Sequence, residues 1–244
     1  LPSHSIPGRN ETEIRHLNRD WTIVNAAGQW VQRAALSNLI TGEPRYRNNA
    51  LRQLEVLFDP EFWPEWRDLA HQNTEADLRT GMLSRDLSLA YDWLHPTLTI
   101  EQRKWILAGI NQCGIQPYLR SLKTDAWWKN ATNNWMTCIV GSLGITGMCL
   151  AEDHLQSQLL IEYSLPRLKN YLDLYGPEGE FNESVAYSSA TLHPVAFFMA
   201  HRYTSEGSQN RLAQHPFPET CRWTMYLTLP PGRVAAFGDS KIHA

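Results

Sequence analysis

The sequence predicts an all-α chain of roughly eight to ten helices, with a strand beginning only at its C-terminal end. Three observations predict it. Apolar residues recur at helical spacing along most of the chain. Clusters containing Pro, Gly, Asn or Asp cut these stretches at short intervals. A β-like run, Arg233-Val234-Ala235-Ala236-Phe237, occurs once, after Pro230-Pro231-Gly232.

The elements follow in order. Residues 10–41 carry Ile14, Leu17, Trp21, Val24, Trp30, Val31, Ala34, Ala35 and Leu39 on a helical period, ended by Thr41-Gly42-Glu43-Pro44. A second helix covers 45–58 and stops at Asp59-Pro60. A third covers 75–94, with Leu78, Met82, Leu83, Leu87, Leu89, Ala90 and Trp93, and ends at His95-Pro96. Thr99 opens the next, running to about residue 121. Gln102, three residues after Thr99, completes a capping box. Residues 134–152 are the most apolar stretch and predict a helix buried on most sides. Helices over 155–174, 184–205 and 217–228 complete the series.

The apolar helices 134–152 and 184–200 alternate with the more charged 101–121 and 155–174. A helical toroid requires such alternation of inner and outer helices. A bundle or a solenoid also gives it, although no repeat of fixed period is present to favour a solenoid. The organisation expected is a helical domain over 1–229 and the start of a sheet domain over 230–244. The chain opens without Met or a signal-like stretch and closes on Phe237-Gly238-Asp239-Ser240-Lys241-Ile242-His243-Ala244, so a fragment of a longer protein is expected.

Composition narrows the function. With 43% hydrophobic and 19% charged residues, the chain is globular and not disordered. A net charge of −3, with Lys and Arg scattered, gives no general attraction to nucleic acid. No run of eighteen apolar residues occurs, so no membrane span is expected. Of the four cysteines, 113, 138, 149 and 221, Cys138 and Cys149 stand eleven apart on one face of a helical run and read as buried thiols rather than a disulfide or metal ligands, which leaves the redox compartment open. The nine histidines form no zinc motif, so neither a metal nor an organic cofactor is expected. Gly141-Ser142-Leu143-Gly144-Ile145-Thr146-Gly147 is not a nucleotide loop: its glycines, three apart within a helix, predict a smooth face for close helix packing.

Two polar, aromatic segments carry the chemistry. The first is Trp127-Trp128-Lys129-Asn130-Ala131-Thr132-Asn133-Asn134-Trp135. Thr132 or Asn133 can cap the helix that follows, which puts Asn134 in its first turn, where free N–H groups favour an anion such as a carboxylate. Capping alone explains one Asn, but not the neighbouring Trp127, Trp128 and Trp135. The second runs from Tyr175-Gly176-Pro177-Glu178-Gly179-Glu180-Phe181 to Asn182-Glu183-Ser184-Val185-Ala186-Tyr187. Its Gly-Pro-Glu-Gly is a turn, and Ser184 can cap a helix with Tyr187 in the first turn, where the dipole favours phenolate. A Tyr simply packed between helices is the competing reading.

An amide and a phenol suit removal of the proton beside a sugar carboxylate. The C5 hydrogen of a uronic acid is lost only if the adjacent carboxylate is neutralised or hydrogen-bonded, so that the enolate-like intermediate is stabilised. Asn134 suits that role. Tyr187 suits the base at C5, the acid at the departing C4 oxygen, or both.

These residues resemble the heparinase II/III-like and alginate-lyase-like polysaccharide lyases. The resemblance is carried by Ala76-Asp77-Leu78-Arg79-Thr80-Gly81 through Leu89-Ala90-Tyr91-Asp92-Trp93-Leu94, by Asn133-Asn134-Trp135, by Gly176-Pro177-Glu178-Gly179 through Tyr187, and by Phe237-Gly238-Asp239-Ser240. It implies an incomplete (α/α) toroid followed by an antiparallel β-sandwich, and β-elimination on an acidic polysaccharide. It carries the charge-neutralising Asn onto Asn134 and the catalytic Tyr onto Tyr187. Trp135 stands where several members have His, which is closer to the heparinase III-like pattern. A further catalytic His of the family would lie on the sheet domain, past residue 244. Arg79 and Arg85 fall on the helix resembling the cleft-lining one and are candidate ligands of carboxylate or sulfate, surface ion pairs being the alternative. Asn133, Glu183 and His193 complete the expected substrate-binding set. A periplasmic or secreted location follows from the family alone. Alternatives with other outcomes are a uronyl C5-epimerase, a non-catalytic glycan-binding protein, and a glycoside hydrolase using Glu180 and Glu183, which lie on one segment rather than across a cleft.

Overall fold

The computed structural model describes residues 21–68, 71, 74–181, 185–205, 207–230 and 232–235. They form two compact units, one reaching to Trp127 and including Glu152–His154, the other comprising Trp128–Ala151 and the residues from Leu155 on. Among the described residues there are eight helical rods and one two-stranded sheet, so the fold is mostly helical.

The first unit contains α1 (Trp21–Thr41), α2 (Pro44–Phe58), α3 (Leu78–Leu94), α4 (Ile100–Ile110) and α5 (Gln116–Leu122). A π turn, Asn111–Ile115, joins α4 to α5 into one rod. Helix α1 packs on α2 and α3, and α3 on α4. Pro44 stands at the first position of α2, where its missing N–H has no intrahelical partner to lose. Helix α3 begins at Leu78, three residues later than the apolar period indicates, because Asp77 takes the cap: its carboxylate accepts from Arg79 N at 2.8 Å and Thr80 N at 3.3 Å. The Thr99–Gln102 capping box on α4 forms as expected. Leu54, Leu57, Trp63, Trp66, Leu83 and Leu87 are fully buried, and the Trp66 indole donates to Leu57 O at 3.0 Å.

The second unit contains α6 (Asn134–Leu150), α7 (Ser157–Leu172), α8 (Leu192–Thr204), α9 (Phe217–Tyr226) and a hairpin of β1 (Thr228–Leu229) with β2 (Arg233–Val234). Helix α6 packs on both α7 and α8. The stretch Asn134–Asp153 has a mean hydropathy of 1.3 and the length of a membrane span, but 78% of it is buried, which is the condition of a core helix.

The glycine face is a packing face. A Cβ at Gly147 would meet Ser157 O at 2.6 Å, and Ser164 Oγ donates to Val140 O at 2.8 Å, so α7 runs antiparallel to α6. A Cβ at Gly141 would lie 3.4 Å from His193 Cβ, and one at Gly144 would lie 2.4 Å from the Phe197 ring. Both helices therefore ascend together, and α8 runs parallel to α6.

The expected helix 184–205 is divided. Ala186–Thr191 is a 3-10 turn, and α8 starts only at Leu192. Pro194 explains the division: proline is accepted in the first turn of an α-helix and not in its interior. The strand region is a hairpin starting at Thr228, earlier than the run at 233 indicates.

The contacts at the glycines differ enough to separate their effects. Gly144→Ala is expected to destabilise the protein by about 1–3 kcal/mol through overpacking against Phe197 and Ser164. Gly141→Ala, in ordinary contact only, is expected to be neutral or to gain up to about 1 kcal/mol of helix propensity. Urea unfolding of the two variants checks both.

Candidate functional site

In the second unit, Asn133 occupies the cap of α6. Its side-chain oxygen accepts from Trp135 N at 3.1 Å, so Asn133 and not Thr132 is the capping residue. Asn134 is the first helical residue, half-buried, in the first turn where the sequence puts it. Trp135 is half-buried beside it, while Trp128 is fully buried and belongs to the packing of this unit.

Tyr187 is half-buried in the 3-10 turn that runs directly into α8, and this turn packs against α6. Its height relative to Asn134 follows from the parallel course of the helices. Asn134 precedes Gly141 by seven residues of α-helix, about 10 Å of rise. Tyr187 precedes His193, the residue abutting Gly141, by six residues that are mostly 3-10, about 12 Å. By this backbone rise alone, residues 134 and 187 fall at similar levels along α6. His193 is half-buried one turn or more further along, against Gly141.

The Gly-Pro-Glu-Gly segment is a turn, as expected. Gly179 N donates to Gly176 O at 2.9 Å, and Gly176 N to Glu180 O at 3.1 Å. Gly179 has φ +81°, and a Cβ there would lie 2.5 Å from the Glu219 backbone, so the turn seats closely on α9. The Glu180 carboxylate accepts from Glu178 N at 2.8 Å and serves the turn itself. Glu183 and Ser184 lie outside the described residues.

Arg79, Arg85 and Trp127 belong to the first unit. Arg79 is buried and pairs with Asp68 at 3.2 Å and Asp77 at 3.3 Å. Asp77 also accepts from Asp68 N and pairs with His71 Nδ1, both at 2.8 Å, so Arg79 belongs to a buried network around the α3 cap. Arg85 pairs with its neighbour Asp86 at 2.8 Å. Burial raises the Asp86 carboxyl above the usual carboxylate range, against the opposing pull of Arg85. Trp127 is 48% exposed.

Sequence reasoning overlooked an apolar cavity of about 580 Å³ in the second unit, lined by Tyr175, Phe181, Leu192, Val195, Phe217 and Trp223 among others. The Tyr175 and Phe181 rings stack at 5.2 Å across the Gly-Pro-Glu-Gly turn. The aromatic residues bracketing that turn were the available signal. Among the described residues no three His, Cys, Asp or Glu side chains gather as a metal site needs.

No protein-family model matches this chain, and no curated protein matches its sequence.

Removing the α6 cap is expected to loosen the start of the helix that carries Asn134. Asn133→Ala should cost about 1 kcal/mol in urea unfolding, the usual loss for an N-cap amide. An unchanged midpoint would mean that the cap contributes nothing.

Proposed function

We propose that the chain acts as a polysaccharide lyase that cleaves a uronate-containing polymer by β-elimination. What supports this reading is that Asn134 starts α6, that Tyr187 lies in the 3-10 turn leading into the parallel α8, and that this turn packs against α6. The order of the motifs that resemble the polysaccharide lyases adds to it. On the same reading, antiparallel α6 and α7 followed by parallel α8 make one inner–outer–inner step of an (α/α) toroid.

In the reaction, the Asn134 amide donates a hydrogen bond to the substrate carboxylate and so favours the charge that builds when C5 is deprotonated. The Tyr187 phenolate takes the C5 proton. The electron pair of the C5–H bond forms the C4=C5 double bond, and the C4–O bond breaks. The departing oxygen takes a proton from the Tyr187 phenol, or from a second acid, which leaves an unsaturated sugar at the new end. Acidic saccharide is the partner on this reading, and the location it implies is periplasmic or secreted.

Incubation with heparan sulfate, hyaluronan, chondroitin sulfate and alginate tests the proposal. Ultraviolet absorbance from the new double bond is expected to rise on one of them. Tyr187→Phe should lower that rate by about 10²–10⁴-fold, the contribution of a positioned acid–base group. Normal turnover by the Phe variant would remove Tyr187 from the mechanism. Silence on all four polymers with deuterium exchange at C5 would instead identify an epimerase.

A further inference from the structure

The first unit holds a second cleft, of about 280 Å³, between α1 and α2. Its floor is apolar, formed by Ala27, Val56 and Leu57. Its rim is Trp30 from α1 and Asn49, Arg52 and Gln53 from α2. The α2 residues recur at helical spacing, so Asn49, Arg52, Gln53 and Val56 present one face to the cleft.

Among the described residues, none of the four rim side chains has a hydrogen-bond or ion-pair partner. Among the described residues Arg52 forms no salt bridge, although Glu55 lies three residues further along the same helix. By contrast Arg45 and Arg47, about two and about one and a half turns earlier, are engaged with Glu43 and with Thr97 O. The rim therefore offers one guanidinium, two primary amides and an indole, with no carboxylate in the lining.

That set selects a ligand class. The guanidinium fork matches a carboxylate or sulfate in a bidentate pair. Each amide both donates and accepts, as vicinal hydroxyls require. An indole that is 38% exposed offers a flat apolar face for the C–H face of a pyranose ring. Without an acid in the lining, cationic ligands have no counter-charge. The volume of about 280 Å³ falls just below the usual range of ligand sites, about 300–1,000 Å³, and so suits one ring rather than a chain.

We propose that this cleft binds a single anionic sugar ring, with Trp30 against its C–H face, Asn49 and Gln53 on its hydroxyls and Arg52 on its carboxylate or sulfate. It shares no residue with the site proposed for elimination. It rests on the lining alone and stands or falls separately from that reaction.

The test is binding, not turnover. The protein is labelled with ¹⁵N at its tryptophan indoles, the Trp30 signal is assigned from Trp30→Phe, and glucuronate or glucose is titrated in. Glucuronate is expected to shift the Trp30 signal, and glucose to shift it only at much higher concentration. Arg52→Gln is expected to weaken glucuronate binding about tenfold and to leave glucose unchanged. Both positions are exposed, and an unaltered pattern of the other indole signals verifies that the variants fold. A Trp30 signal that ignores both sugars overturns the proposal. So does equal response to the two, or a glucuronate response unchanged in Arg52→Gln. Tyr187→Phe should leave the titration as it is in the parent protein, whatever its effect on elimination.

Discussion

The close approach of three helices along the glycine face of α6 is the constraint on which the second unit depends. Gly144 sits between the Phe197 ring and the Ser164 hydroxyl, and Gly147 sits under the α7 backbone at Ser157. Helix backbones come this near only where side chains are absent. Once α8 is held against Gly141 and Gly144, its direction is fixed, and so is the height of whatever precedes it. Tyr187 stands on the 3-10 turn continuous with α8, so its level along α6 follows from packing some distance away. The chemistry proposed for these residues would thus rest on steric contacts in the middle of the unit.

The first unit is organised around a carboxylate instead. Asp77 is fully buried, caps α3, and gathers His71, Arg79 and the Asp68 backbone. A buried charge is tolerated only when its lone pairs are used, and here backbone donors and an arginine use them. The capping role also ties Asp68 and His71 to the start of α3, since they and the first residues of the helix converge on the same two oxygens. Arg79 is therefore held by its own helix start.

Much of this was legible in the sequence. Helix spans followed the apolar period, and the Thr99–Gln102 box and the packing role of the glycines came from local chemistry that needs no tertiary partner. Asn134 in a first turn was legible for the same reason. The division of 184–205 was also written in the chain, in Pro194, but the apolar period across it masked the proline's preference for a first turn. The burial of Trp128 and the ion pairs of Arg79 were not legible. A Trp beside a polar motif and an Arg on an amphipathic helix have the same local signature whether they face a ligand or the interior. Only tertiary packing separates the two. The clefts share this property, since each is lined by residues far apart in sequence or on two helices.

The π turn between α4 and α5 explains a spacing that otherwise looks irregular. Ile106, Ile110, Gly114 and Tyr118 are all buried, four residues apart each time. Three such steps accumulate about 120° of drift around a regular α-helix, enough to carry Tyr118 off the face that Ile106 occupies. A wider turn absorbs roughly one residue of winding and cancels most of that drift. The rod thereby keeps a straight apolar seam over its full length, and Gly114, where a Cβ would collide with Ser84 Oγ, lets α3 close against the widened turn. Residues after the bulge are in phase with those before it only because one of them is, in rotational terms, not counted.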